Sequence, residues 1–201
     1  MNRIRAILLD IGGVLWHPKE TPLCVNWAAR CGLSPSAFDE IVYNSEWGSQ
    51  ALLGKITGEE MWENIGNRLG LSPTERAQCE EEYWAGVWDT EFLDDCHMLK
   101  SRCKLGIISD AESTAREKVK TWVNESLFDV IVFSSEVGVC KPEPKIFQRA
   151  LEQLGLAASE TVFVDDREKN VQGAKAFGLH AIHYKNSKQV LAAINKYISR
   201  A

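Results

Sequence analysis

The 201-residue sequence has no long apolar run and no excess of basic residues. No apolar stretch approaches the ~20 residues of a membrane-spanning helix, and Asp10 interrupts the apolar stretch at the N-terminus, so we expect no signal peptide. With 23 Lys and Arg against 28 Asp and Glu, the formal net charge is −5. A nucleic-acid-binding surface is normally basic. We therefore expect neither a nucleic-acid nor a membrane partner.

The six cysteines form no CxxC pair and no spacing that is typical of a metal site. This pattern favours reduced, mostly buried thiols over a disulfide framework or a zinc site. We therefore expect a cytoplasmic protein.

The second half of the sequence alternates between short apolar runs and amphipathic segments. The runs, rich in Val, Ile and Phe, predict strands at 104–110, 129–135, 161–166 and 180–184, and the N-terminal run at 4–10 has the same character. The amphipathic segments predict helices at 111–123, 144–155, 169–178 and 188–199. Buried strands separated by helices are typical of a parallel sheet covered on both faces. The sequence therefore predicts an α/β fold with a doubly wound parallel sheet.

The region from about 20 to 90 breaks this alternation, because helix-start signals recur in it. Ser34 precedes a proline, and Thr57 and Ser72 are each followed three residues later by a glutamate, as in a capping box. Helix ends are expected at two glycines, Gly70 and Gly86. We expect four short helices in this region and no strand among them.

An all-helical block of this kind is a separate layer and not part of the sheet. We expect an inserted subdomain over residues 17–90, with the α/β core formed by 1–16 and 91–201. Five of the seven tryptophans lie between Trp27 and Trp88. In a helical segment, core or interface packing explains them better than a ligand pocket does.

Polar residues stand at the carboxyl ends of the predicted strands, where open parallel sheets bind ligands. These residues are Asp10, Ser109 with Asp110, and Asp165 with Asp166, while Lys141 lies in the loop after 129–135. A single Asp or Ser at a strand end is commonly a turn residue or a helix cap. Carboxylates that cluster at one rim, however, repel one another unless a cation or a proton compensates them. The set as a whole therefore predicts a site.

Four segments, LLDIGGVL, IISD, VGVCKPEPKIF and VFVDDREKN, follow one another like the four motifs of the haloacid dehalogenase (HAD) superfamily. The resemblance spans the predicted sheet, and the helical block stands where that family carries its helical cap. It implies a Rossmann-like core and a phosphatase that forms an aspartyl-phosphate. The substrate would be a small phosphorylated metabolite, and by analogy alone we favour a sugar phosphate.

The resemblance also implies a role for each polar residue at the rim. Asp10 would be the nucleophile, Lys141 would bridge it to the phosphoryl oxygens, and Ser109 would hold the phosphate together with N–H groups at the start of the next helix. The implied Mg²⁺ ligands are Asp10, Asp166 and the backbone carbonyl of Gly12, with Asp165 holding a metal-bound water. The cation and the lysine are needed because one anion attacks another. Glycine at position 12 would let the backbone approach both groups closely.

Two positions depart from the family pattern. The family usually carries a second aspartate, the general acid and base, where this sequence has Gly12. Its loss would slow the reaction by ~10²–10⁴-fold without silencing it, and esters with good leaving groups depend on it less. Asp110 stands where the family more often has Asn; it either caps the helix at 111–123 or stays protonated and replaces the missing acid. His17 is a weaker candidate for that acid.

Three functions therefore remain open. The tandem Asp165 and Asp166 favour the Mg²⁺-dependent phosphatase, since displacement of a halide needs no cation. A metal-free 2-haloacid dehalogenase typically has an arginine near the nucleophile, and none lies between Arg5 and Arg30. A catalytically weak or inactive phosphate-binding or interaction protein is favoured by the two departures from the pattern.

The helical cap is expected to select the substrate, since its closure would exclude water and complete the pocket. Candidates for the pocket lining are Trp16, Trp27, Trp47 and the segment 44–60. Core packing explains the tryptophans equally well, so the sequence leaves the lining open.

Overall fold

A computed structural model describes residues 3–18 and 23–199 of the chain. Within them the strands are Ala6–Leu9 (β1), Trp16–Pro18 (β2), Gly86–Trp88 (β3), Lys104–Ser109 (β4), Val130–Phe133 (β5), Thr161–Asp165 (β6) and His180–His183 (β7). The α-helices are Leu23–Arg30 (α1), Pro35–Tyr43 (α2), Glu46–Leu52 (α3), Gly58–Leu69 (α4), Pro73–Tyr83 (α5), Thr90–Lys100 (α6), Ala115–Trp122 (α7), Ser134–Val137 (α8), Pro144–Leu154 (α9), Glu168–Phe177 (α10) and Ser187–Ser199 (α11).

Among the described residues, five strands form a parallel sheet in the order β5-β4-β1-β6-β7. The chain passes from β1 to β4 and β5 on one side and then returns to β6 and β7 on the other. The predicted doubly wound sheet is confirmed. Because the strand order reverses beside β1, the carboxyl ends of β1, β4 and β6 are neighbours at the point where such sheets bind ligands.

Strand β1 is buried on both faces of the sheet. Ile7 and Leu9 pack into one hydrophobic core, which α6, α7 and α11 cover, whereas Ala6 and Leu8 pack into a second core beneath α9 and α10. This alternation follows from the two-residue period of a strand. Burial of each large aliphatic side chain contributes ~1.5–3 kcal/mol, so β1 holds the residue at its tip, Asp10, on a rigid support.

Helices α1–α5 pack around a third core, which contains Trp27, Phe38 and Trp62. The predicted starts at Ser34, Thr57 and Ser72 are confirmed, with both capping boxes formed. The predictions of four helices and no strand were wrong, because the described part of 20–90 holds five helices and β3.

Gly86 begins β3 instead of ending a helix, and β3 pairs antiparallel with β2. Three residues that pair with a segment seventy positions away leave no periodic signal in the sequence. The ribbon of β2 and β3 therefore could not be predicted.

Within residues 3–18 and 23–199, no helix is both long and apolar enough to cross a membrane. Cys31, Cys96, Cys103 and Cys140 carry free thiols. Burial raises the pKa of Cys96 to about 12 and that of Cys103 to about 11. The predicted reduced thiols are confirmed for these four residues, and the cytoplasmic location stays a prediction.

Candidate active site

Lys141 stands at the centre of a buried charge cluster at the tips of β1, β4 and β6. Its Nζ lies 2.7 Å from Asp10 Oδ1 and 2.8 Å from Asp165 Oδ2, and it also donates to the carbonyl of Ile108 at 3.3 Å. All three charged side chains are buried. The structure thus brings the predicted lysine into contact with the predicted nucleophile.

Negative charge outweighs positive charge in this cluster. Burial raises the pKa of Asp10 to about 7, although Lys141 opposes the shift; Asp165 adds to it. Burial works to lower the pKa of Lys141, but Asp10, Asp165 and Asp110 outweigh it and leave that pKa raised. The lysine is therefore charged, and one ammonium group is shared among several carboxylates.

Asp165 accepts hydrogen bonds from three protein residues. Besides Lys141, its carboxylate accepts from the N–H of Arg167 at 2.8 Å and from Asn170 Nδ2 at 3.0 and 3.1 Å. These contacts orient the lysine and the start of α10. Asn170 was not predicted as a site residue, although it ends the segment VFVDDREKN and that motif could have indicated it.

Asp166 presents a carboxylate oxygen that lacks a partner. Its Oδ1 is buried and has no hydrogen-bond donor among the described residues, and burial, reinforced by Asp165, raises its pKa. One oxygen from each of Asp10, Asp165 and Asp166 lies within 4.8 Å of the others. A buried oxygen without a partner needs an explanation, and a hard divalent cation, which prefers oxygen ligands, fits this donor set.

The backbone makes a close contact at Gly13, and the approach of Gly12 to a metal ion and a phosphate stays a prediction. A Cβ atom on Gly12 would have no atom within 4 Å, whereas a Cβ on Gly13 would lie 2.5 Å from Asp166 Oδ2. Gly13 also has a φ of +72°, in the region that favours glycine. The turn after β1 therefore requires its second glycine, and space is open beside the first.

Asp110 does not cap a helix, so that prediction was wrong. Helix α7 begins at Ala115, and Asp110 Oδ1 instead accepts the backbone N–H of Lys141 at 2.8 Å. Burial raises the pKa of Asp110, against the opposing effect of Lys141. Ser109, at the end of β4, is buried beside it. The loop after β4 thus positions the lysine as well as lining the site.

His17 lies apart from this cluster. Side chains alternate across the β2–β3 ribbon, so Trp16 and Pro18 line the cavity above the carboxylates while His17 does not. The ring of His17 instead packs near Tyr184, with centroids 6.1 Å apart. This geometry does not support a role for His17 as acid or base.

A cavity of about 380 Å³ extends from the carboxylates towards the cap helices. Of the three tryptophans expected in its lining, Trp16 is present, whereas Trp27 and Trp47 pack in the cap core. From the segment 44–60, Gly48 and Leu52 line it. Three further tryptophans line the cavity and were not predicted to do so: Trp84, Trp88 and Trp122.

The model of one protein family, the haloacid dehalogenase-like hydrolases, matches residues 4–178. The chain belongs to this family. Among curated relatives, this hydrolase is 28% identical over 191 residues to the sesquiterpene phosphatase astK of Aspergillus oryzae, with 91% of each chain covered. It is 29% identical over 199 residues to acyl-CoA dehydrogenase family member 10 of Mus musculus; the match covers 89% of this chain but only 18% of the mouse protein.

A solved structure supports the same assignment. The HAD family enzyme bt-2542 of Bacteroides thetaiotaomicron, in complex with magnesium and inorganic phosphate, is 25% identical. Its TM-score is 0.78, and the match covers 90% of this hydrolase and 94% of that chain. The family resemblance and the Rossmann-like core inferred from the sequence are therefore confirmed.

Proposed function

We propose that this hydrolase is a Mg²⁺-dependent phosphomonoesterase that acts on a small phosphorylated metabolite through an aspartyl-phosphate on Asp10. The observation that carries the proposal is the unpartnered Oδ1 of Asp166 beside two further carboxylates. The magnesium and phosphate complex of the bacterial enzyme and the phosphatase name of the fungal relative support it.

Asp10 is held ready for attack by its own neighbours. Its Oδ1 accepts from Lys141 and from the N–H of Ile11, both at 2.7 Å. We assign the attack on phosphorus to the other oxygen; the ester P–O bond breaks, the alcohol leaves, and water then hydrolyses the acyl phosphate. Each half of the reaction is an easier displacement than direct hydrolysis.

Positive charge must face the phosphoryl oxygens during both steps. Lys141 supplies it from the chain, and Ser109 donates a hydrogen bond to the phosphate. Asp10, Asp166 and the backbone carbonyl of Gly12 would hold Mg²⁺, with Asp165 beside a bound water, and the ion would neutralise further negative charge.

The leaving alcohol needs a proton donor, and Gly12 provides none. Asp110 lines the cavity, and burial raises its pKa, so we assign it as the replacement acid. If Asp110→Asn left the rate of phosphate release and its pH profile unchanged, this assignment would be wrong.

One observation favours a second function. Arg167 lines the cavity, which supplies the arginine that a 2-haloacid dehalogenase needs and that the sequence near Asp10 lacks. The cluster of three carboxylates formed by Asp10, Asp165 and Asp166, however, would oppose an anionic haloacid. We therefore rank the dehalogenase below the phosphatase.

The test measures inorganic phosphate released from a panel of phosphomonoesters, with Mg²⁺ or with EDTA. We expect phosphate release in the presence of Mg²⁺ and none in the presence of EDTA. Asp166→Asn should raise the Mg²⁺ concentration for half-maximal rate by about 10–100-fold or more, while Asp94→Asn, on the exposed face of α6, should not change it.

Two results would contradict the phosphatase. Halide release from 2-chloropropionate in EDTA would favour the dehalogenase. Thermal stabilisation by Mg²⁺ and phosphate without any turnover would favour a phosphate-binding protein, since a ligand of the native state raises its stability.

A further inference from the structure

We infer that the leaving group of the substrate is an apolar alcohol, an alkyl, prenyl or aryl group, and not a sugar. The inference rests on the proposed phosphatase function and names its substrate class. It is carried by the wall of the cavity that faces the carboxylates.

This wall is built from large apolar side chains that converge from separate elements. They are Trp16 on β2, Leu52 on α3, Met61 on α4, Trp84 after α5, Trp88 on β3 and Trp122 on α7. Aromatic side chains offer a large contact area to an apolar ligand. No single helix supplies the wall, so the whole junction of cap and core contributes to it.

The tryptophans present carbon, and not their polar N–H groups, to the cavity. The Nε1 atoms of Trp84 and Trp88 are buried from solvent, and neither has a hydrogen-bond partner in the described part of the chain. The Nε1 edge of Trp16 packs on Gly86, where a Cβ atom would lie 2.1–2.3 Å from the ring. A sugar hydroxyl would find no exposed donor at these three rings.

Two charged residues of the cavity lining, Glu112 and Lys118, are already paired. Glu112 is 5% exposed and accepts from the N–H of Thr114 at 2.5 Å and from its Oγ1 at 2.6 Å. Lys118 Nζ lies 3.2 Å from Glu80 and 3.4 Å from Glu112. A polyhydroxylated group would have to break these contacts or bury hydroxyls without partners, which is unfavourable.

The cavity also has the size and the opening for such a group. Its volume of about 380 Å³ lies in the lower part of the ~300–1,000 Å³ range of small-molecule sites. Trp122 is 48% exposed and packs against Trp88, with ring centroids 5.9 Å apart. The apolar wall therefore continues to the surface, and a hydrocarbon chain has a path out of the cavity.

The first arm of the test compares n-alkyl phosphates from butyl to decyl with glucose 1-phosphate and glucose 6-phosphate, all with the Mg²⁺-loaded wild-type protein. Each methylene that enters the cavity should raise kcat/KM by about fourfold, the value expected for a buried CH₂. The increase should stop when the cavity is filled. The longer alkyl esters should exceed both sugar phosphates by at least about tenfold.

The second arm places a charge in the wall. Leu52→Arg should remove most of the dependence of kcat/KM on the length of the alkyl chain. Ser49→Arg, on the same helix but exposed, should keep the wild-type series. If Leu52→Arg fails to fold, the wild-type series decides alone.

The outcomes separate this inference from the proposed function. If kcat/KM did not change with alkyl chain length and the sugar phosphates were hydrolysed faster, the inference would be overturned but the phosphatase proposal would stand. Absence of Mg²⁺-dependent phosphate release from every ester and from acetyl phosphate, an anhydride, would overturn both.

Discussion

The two ends of the cavity are built on opposite chemical principles. At the sheet end, the buried carboxylates of Asp10 and Asp165 each lie within hydrogen-bond distance of the buried Lys141. At the cap end, aromatic and aliphatic side chains form a wall with few free polar groups. Buried charged groups require partners at a defined distance and direction, and here rigid strand tips hold them. Apolar contact is not directional, so any nearby element can supply it.

We expect the largest effect from a substitution at the sheet end. Asp10→Asn keeps the shape of the side chain but removes the carboxylate that we propose attacks phosphorus. We expect phosphate release to fall by about 10⁴–10⁶-fold, as for other nucleophile variants. The thermal midpoint should not fall, because the amide also relieves repulsion from Asp165. Retention of more than a few per cent of the wild-type rate would contradict the assignment of Asp10 as nucleophile.

The cap end depends on a core of its own. Trp62 is 1% exposed, and its ring packs edge-on against Tyr83 with centroids 5.6 Å apart. Trp62→Ala should lower the free energy of unfolding by about 3–5 kcal/mol, measured by urea denaturation. Met98→Ala, at a side chain that is 74% exposed, serves as the control and should change it little. Equal stability of the two variants would mean that the cap core contributes little.

Gly12→Asp would add an acid to the sheet end and would test whether a missing proton donor limits the rate there. Its backbone does not have a positive φ, and a Cβ atom there meets nothing within 4 Å, so the side chain can be accommodated. In an Asp110→Asn background, which lacks the proposed replacement acid, we expect kcat for esters with poor leaving groups to rise by about 10²-fold. Gly12→Ala should leave kcat unchanged. A rate gain in both variants would show that the carboxylate is not its cause.

We expect the smallest effect at Asp129, which does not line the cavity. Asp129, before β5, pairs with Lys100 at 2.6 Å and accepts the N–H of Leu105 at 2.8 Å. Partial burial acts to raise its pKa, but the Lys100 and Leu105 contacts outweigh it and lower that pKa. The stabilisation is therefore present above the unfolded pKa and is lost as the pH falls through the lower, folded value.

Asp129→Asn should accordingly lower the free energy of unfolding by about 0.2–1 kcal/mol at neutral pH. The difference from wild type should close as the pH falls below the ordinary aspartate value of 3.8, and urea unfolding at several pH values measures it. A difference that is constant with pH would show that the ion pair is not responsible. The exposed Asp94→Asn is the matched control.

The sequence predicted the sheet end far better than the cap end, and the reason is physical. A strand that is buried on both faces is a continuous apolar run, so a carboxylate such as Asp10 or Asp166 stands out at its tip. The resemblance to known motifs then supplied Lys141. Trp84 and Trp122, by contrast, have the same local pattern as core tryptophans such as Trp62, because only tertiary packing decides which rings face a cavity.

Pairings between distant segments also escaped prediction. Asp110 looked like a helix cap, but its carboxylate accepts the N–H of a residue 31 positions later. Gly86 looked like a helix end, but it pairs across a ribbon with Pro18. Both residues have the local signals of one role and the long-range contacts of another.

The β2–β3 ribbon makes the two crossings into and out of the cap neighbours, joined at Trp16 and Trp88. A segment whose two ends are adjacent can be exchanged, lengthened or shortened without a change in the strand order of the sheet. On the proposed function, evolution can therefore replace the segment between these two tryptophans while the strands that carry the carboxylates stay in register. Transplanting the segment between these two tryptophans from one relative to another is the corresponding engineering route to new selectivity.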